Sequence, residues 1–151
     1  MEYKIRNAKP GDISEIIELC SEHALYEKCE FERAGKAEKL TNFLFSEKPA
    51  IYCLIGENNQ EILGYATYSF EFSTWNANFY THMDCLYLRP QARNYGIGEK
   101  LIAEIVKITK LNGYEEIQWQ TPKFNEKAIK FYQRIGANYK EKYRFNFKII
   151  C

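Results

Sequence analysis

Gly96-Ile97-Gly98 is the part of this 151-residue chain whose residue types and spacing point first to ligand chemistry. It lies between an apolar run ending at Leu88 and a helical pattern through Leu101, Ile102, Ile105, Ile108 and Leu111. Glycine lets a backbone turn sharply and approach a ligand closely. A helix start adds outward N–H groups and the positive end of the helix dipole, which together favour an anion. A pyrophosphate is the natural guest, and Arg93 can add a charge-assisted contact. Two phosphate motifs are excluded. The dinucleotide fingerprint needs a third glycine where Leu101 stands, and the nucleoside-triphosphate loop needs Gly-Lys-Ser/Thr where Gly98 is followed by Glu99, Lys100 and Leu101. On spacing alone the loop reads equally as a plain glycine turn.

The elements that must position this loop can be read from periodicity. Tyr3 to Ala8 reads as a strand. Pro10-Gly11-Asp12 then interrupts the chain, and Asp12 suits a helix N-cap. Ile13, Ile16, Ile17 and Cys20 recur at helical spacing and predict a helix to about Lys28, and a weaker pattern predicts a second helix over Lys36 to Phe45. Ile51 to Gly56, Ile62 to Phe72 and Asn78 to Leu88 read as strands, the last two as a hairpin around Ser73 to Asn76. The helix after Gly98 stops at Asn112-Gly113. Glu116 to Gln120 reads as a strand, Asn125 caps a short helix ending near Ile135, and Tyr143 to Ile150 closes the chain as a strand. This order describes one mixed α/β domain over residues 1–151.

Within that order, Arg93-x-x-Gly96-x-Gly98 after a strand resembles the acetyl-CoA motif of the GCN5-related N-acetyltransferases. Asn125-x-x-Ala128-x-x-Phe131-Tyr132-x-x-x-Gly136-Ala137 resembles the second signature of the same superfamily. The resemblance spans nearly the whole length. Within the superfamily the chain is most similar to the diamine (spermidine/spermine and thialysine) N-acetyltransferases, through Tyr26-Glu27, Trp75, Tyr95-Gly96-Ile97-Gly98, Ala128 to Tyr132 and Tyr143-Arg144-Phe145. It implies a mixed, twisted sheet of about six to seven strands flanked by about four helices and splayed in the middle for the pantetheine arm. It also implies acetyl-CoA as cosubstrate, no metal, and a homodimer. The implied cofactor-binding residues are Leu86, Tyr87 and Leu88 through their backbone, Arg93, Asn94, Tyr95, Gly96, Ile97, Gly98 and Glu99 in the loop, and Asn125, Ala128 and Phe131. Asn125 reads as a helix cap as well, and the two roles are compatible.

Acetyl transfer joins an amine to a thioester. An alkyl amine with a pKa of about 10.4 is almost wholly protonated at neutral pH, so the site must help remove a proton. Asp84 is the candidate, one methylene shorter than the glutamate that the family carries there. It doubles as a substrate-binding residue with Tyr26, Glu27, Trp75 and Glu141, which suit a cation through charge or an aromatic face. The departing thiolate gains from a proton donor, and the resemblance assigns that role to Tyr132, whose phenol is protonated at neutral pH. Asp84 reads otherwise as a strand-edge carboxylate, Glu27 as a solvated helix end, Trp75 as hairpin packing and Tyr132 as a core aromatic. His82 sits two residues before Asp84 on a shared strand face, and His23 reads as solvated.

The balance of 21 basic and 20 acidic residues gives a formal charge of +1, which disfavours nucleic acid and anionic membrane as partners. Five cysteines without a C-x-x-C pair argue against a disulfide framework or zinc site. With no apolar run of about 18 residues, the chain reads as cytoplasmic. The expected activity is acetyl transfer to a primary amine of a small cationic molecule in a ternary complex. The alternatives are another amine (aminoglycoside, amino acid or protein lysine) and a non-catalytic acyl-CoA-binding sensor.

Overall fold

The computed structural model describes residues 1–150. Its strands lie in the order β1 (Lys4–Asn7), β2 (Tyr52–Asn58), β3 (Glu61–Ser73), β4 (Asn78–Leu88) and β5 (Ile117–Gln118). The first four pair antiparallel, and β5 joins β4 in parallel, so the sheet is mixed. Four α-helices accompany it: α1 (Ile13–Tyr26), α2 (Lys36–Leu44), α3 (Ile97–Leu111) and α4 (Glu126–Arg134). By internal contacts the chain divides into two compact units. Met1–Gln120 holds the whole sheet with α1 to α3, and the unit from Thr121 onward holds α4.

Alternation along the central strands sends their side chains to two faces. Ile55, Tyr65 and Tyr87 join Ile13, Ile16, Ile17 and Leu19 of α1 in one apolar cluster. On the other face a Cβ added to Gly56 would stand 2.8 Å from Ile97 of α3, and Thr81 of β4 shares a 2.7 Å hydrogen bond with Thr109 of α3. Gly56 thus lets α3 lie close against the sheet, and it pairs with Gly64 of β3. Asn59 and Gln60 both take positive φ between the paired residues Asn58 and Glu61, a tight hairpin turn that matches strand twist.

Several sequence expectations shift. The class and the four helices stand, with five strands rather than six to seven among the described residues. Helix α1 ends at Tyr26 rather than near Lys28, and β5 is two residues long rather than five. Asp12 stands at the head of α1 but its side chain does not cap the helix; it accepts the Lys9 N–H at 2.8 Å and the Arg6 guanidinium at 2.7 Å. Tyr143 to Ile150 forms no strand; residues 138–150 are exposed and irregular. The alternation of Tyr143, Phe145, Phe147 and Ile149 has a strand's period, but a strand exists only where a neighbour's backbone pairs with it.

Candidate active site

Pairing between β3 and β4 changes register between Thr67 and Tyr68: Thr67 faces Cys85 and Tyr68 faces Met83. Asp84 is therefore the extra residue of a β-bulge, a device that re-aims a side chain and bends its strand. The bulge also exchanges the faces of β4. Thr81 points toward α3, whereas Cys85 and Tyr87 pack on the α1 side. Asp84 itself keeps 55% of its side chain exposed, with His82 Nε2 at 3.9 Å and the Cys85 thiol donating at 3.7 Å. Its charge reaches the α1 side, where it helps raise the thiols of Cys20 and Cys85. Burial is the larger cause for both, and it pushes Cys85 up to about 12, so these thiols are packing groups rather than nucleophiles.

Past the bulge, β4 loses its second neighbour. The register joins β5 only to Thr81 and His82, so β5 leaves the edge of Leu86, Tyr87 and Leu88 uncovered. Those three residues still pair with Ala66, Tyr65 and Gly64 of β3. A Cβ on Gly64 would stand 2.5 Å from the Tyr87 carbonyl oxygen, so glycine permits this close pairing.

The glycine loop follows directly. Asn94 and Gly96 take φ of 67° and 80°, so the chain turns twice through the left-handed region before α3 begins. Gly96 brings no side chain to cap the helix, and Lys100 N–H is bonded to Gly96 O at 3.0 Å. Ile97 and Gly98 are buried, Glu99 lies in the first turn, and Tyr95 is half-exposed. Arg93 donates its Nε to the Leu88 carbonyl at 3.0 Å, while its guanidinium lies 4.9 Å from the Tyr26 ring centre and 5.6 Å from that of Tyr87. Arg93 thereby ties the loop to the end of β4 and to the end of α1. That tethering role was not legible in its sequence position.

The end of α1 carries Tyr26 and Glu27. Tyr26 packs on Tyr87 with ring centres 6.2 Å apart. His23 corrects the sequence reading: it is not solvated but 14% exposed at its side chain. Its ring stacks on Tyr87 at 5.3 Å, its Nδ1 lies 3.2 Å from the Tyr65 hydroxyl, and its Nε2 lies 3.3 Å from Glu27 Oε1. The spacing His23 to Glu27 places both on one helix face and was the available signal. Asp84, Tyr87, Tyr26, Glu27 and Arg93 thus share one region with the loop.

One proposed substrate residue lies away from this region within the first unit, and another belongs to the second unit. Trp75 is 99% exposed in the turn between β3 and β4, and six residues of extended strand between Asn78 and Asp84 span roughly 20 Å. Glu141 faces Lys123 at 3.5 Å within the second unit. In that unit Asn125 caps α4, its side chain accepting the Ala128 N–H at 3.3 Å. Ala128 and the paired rings of Phe131 and Tyr132, 5.3 Å apart, follow on the same helix, all half-buried.

The profile of the Acetyltransferase (GNAT) family matches residues 13–137. Thialysine N-epsilon-acetyltransferase of Bos taurus is 31% identical over 142 residues, covering 88% of this chain and 82% of the relative. Spermidine/spermine N(1)-acetyltransferase-like protein 1 of Homo sapiens is 25% identical, covering 89% of this chain but 20% of its own length. Among solved structures, an aminoglycoside acetyltransferase from an uncultured soil metagenomic sample superposes with a TM-score of 0.80 at 19% identity, over 98% of this chain and 96% of that one. That likeness speaks to the fold. With the loop, the bulge and the uncovered strand edge in place, these matches make the chain a member of the GNAT family of acetyltransferases.

Proposed function

We propose that this chain transfers the acetyl group of acetyl-CoA to a primary amine of a small substrate carrying more than one positive charge, a polyamine, diamine or lysine-like molecule. Attack is direct, with both substrates bound together. The observation that carries this reading is the place of Asp84: an exposed carboxylate on the bulge, where β4 turns toward α1 and loses its β5 neighbour.

The residues present suit acetyl-CoA. A pyrophosphate fits the uncapped start of the 15-residue α3, where Gly96 and Asn94 shape the turn. The backbone edge from Leu86 to Leu88 can pair with an amide-bearing arm, and Asn125, Ala128 and Phe131 would complete the contacts. When bound, the cosubstrate supplies a thioester-activated acetyl group. Asp84 attracts the ammonium and takes its proton, directly or through one water. A backbone N–H of Leu86 to Leu88 would steady the charge that grows on the carbonyl oxygen. Tyr132 gives a proton to the departing sulfur. Tyr26 and Glu27 receive the distal cation. Trp75 and Glu141 extend the substrate surface; Trp75, remote from Asp84 on its own chain, does so from the partner copy of a homodimer. No helix among the described residues is long and apolar enough to cross a membrane.

The test is to incubate the protein with acetyl-CoA and a panel of α,ω-diamines, polyamines, monoamines, amino acids, aminoglycosides and peptides, and to detect products by mass. Acetylation of the diamines and polyamines ahead of the rest is expected. Preference for aminoglycosides or peptides would overturn the acceptor, and absence of any product would favour a non-catalytic acyl-CoA sensor. Light scattering reads the dimer.

A further inference from the structure

His23 has no part in the chemistry above, yet it is among the most constrained polar side chains near the site. Tyr87 stacks on one face of its ring and Tyr65 meets it nearly edge-on, with planes 79° apart. The Tyr65 hydroxyl lies 3.2 Å from Nδ1. Tyr65 is 1% exposed, and burial, with the neighbouring Cys20 and Cys85 thiols, raises its phenol far above the ordinary tyrosine value. Tyr65 is thus a permanent O–H donor, and thiol sulfur is a weak acceptor beside an imidazole nitrogen. Its proton goes to Nδ1. The neutral ring then carries its own proton on Nε2, aimed at Glu27 Oε1 at 3.3 Å. Glu27 lies just past the end of α1, where the chain leaves the helix, so nothing in regular secondary structure fixes its side chain.

We propose that His23 is a positioning residue: through the relay Tyr65–His23–Glu27 it holds the Glu27 carboxylate as the anchor for the second positive charge of the substrate. This rests on the reading that Glu27 receives a substrate cation. A long flexible carboxylate samples several rotamers, and one directed N–H restricts it before the substrate arrives, which lowers the ordering cost of binding. Glu27 keeps its second oxygen for an ammonium. His23 holds Glu27 through a single N–H, whereas a lysine in its place would satisfy the carboxylate and shut the anchor.

The experiment measures kcat and KM at saturating acetyl-CoA for an α,ω-diamine and for the monoamine of equal chain length, in the full-length protein. The variants are Glu27→Gln, His23→Phe, which keeps the stack and removes both hydrogen bonds, and His23→Gln, which restores a donor. Glu27→Gln and His23→Phe should each lower the diamine-to-monoamine ratio of kcat/KM about five- to tenfold, with the loss in the diamine KM rather than kcat. His23→Gln should recover most of it. A merely structural role for His23 would lower both substrates alike and leave the ratio in place, overturning the proposal. If Glu27→Gln lowers the ratio and His23→Phe does not, the positioning role alone is wrong. If Glu27→Gln leaves the ratio intact, the amine anchor itself is wrong. Should His23→Phe fail to fold, ¹⁵N shifts of the wild-type imidazole decide. A proton on Nε2 that becomes shared with Nδ1 in Tyr65→Phe supports the relay, and a proton on Nδ1 in the wild type overturns it.

Discussion

Two pairs of carboxylates in the first unit meet opposite surroundings. Asp12 and Glu57 are enclosed by cations. Arg6 binds Asp12 with two nitrogens at 2.7 and 3.0 Å and gives its Nε to Glu57 at 2.6 Å, while Lys4 holds the other Glu57 oxygen at 3.0 Å. The hydrogen bonds from Arg6 lead the causes that hold both carboxyls below their ordinary range, and the two carboxylates in turn raise Arg6. Asp84 and Glu27 meet no guanidinium or ammonium at salt-bridge distance among the described residues; each has a histidine, at 3.9 and 3.3 Å, and Asp84 also the weakly donating Cys85 thiol at 3.7 Å. A carboxylate already saturated by guanidinium has no lone pair to offer an ammonium. One met by a single imidazole nitrogen does. The first pair therefore binds β1 and β2 to the turn before α1, and the second pair is the one proposed to meet the substrate.

Exchanging the roles of the two pairs by mutation gives the largest expected effect. Asp84→Asn should lower kcat/KM for the preferred amine by about a hundredfold or more, in the range of lost general-base catalysis, with an unfolding midpoint close to wild type. Glu57→Gln should do the reverse and leave turnover in place while the protein unfolds earlier. Amine assays and thermal melts on both variants check this. Equal activity loss in the two would dissolve the distinction.

Arg6→Met should cost about 3 kcal/mol of stability, because it leaves Asp12, only 7% exposed at its side chain, and Glu57 without their guanidinium. Urea unfolding reads this, and kcat per folded molecule should hold. Asp12→Asn in the Arg6→Met background should cost less than in the wild type, since the partners act as one network.

The same network sets an acid limit. Asp12 and Glu57 have folded-state pKa values below their unfolded ones, so their contribution is fully present above the unfolded values of about 4 and is lost as pH falls through the folded values. Unfolding midpoints should be flat in their contribution above about pH 5 and drop below about pH 4. Asp12→Asn should flatten part of that drop.

How much of this was legible from residues differs by feature. The glycine loop, the helix that follows it and the Asn125 cap were readable because each depends on residues close in sequence. Asp84 was legible as a strand carboxylate, but its bulge was not, because the extra residue exists only relative to the register of β3. Arg93 read as a phosphate ligand, and its contacts with Leu88, Tyr26 and Tyr87 depend on packing between α1 and β4. The closing strand from Tyr143 was predicted on alternation, which describes a pattern and supplies no partner. His23 was misread because exposure cannot be inferred from a helix position without knowing which face the sheet covers.

The smallest expected effect separates two glycines. Gly96 and Gly113 both take positive φ, 80° and 76°, and a Cβ would find ordinary room at each: only the Tyr3 hydroxyl at 3.5 Å near Gly96, and nothing within 4 Å of Gly113. Backbone strain is then the common cost of alanine at either position, about 1 kcal/mol. Gly96→Ala and Gly113→Ala should accordingly lower the melting temperature by similar amounts. Gly113 only ends α3, whereas Gly96 shapes the start of the same helix, where the pyrophosphate is expected. Calorimetry should find acetyl-CoA affinity weakened several-fold by Gly96→Ala and unaffected by Gly113→Ala. Matching affinities in both variants would reduce the loop to a plain glycine turn and move the anion site elsewhere.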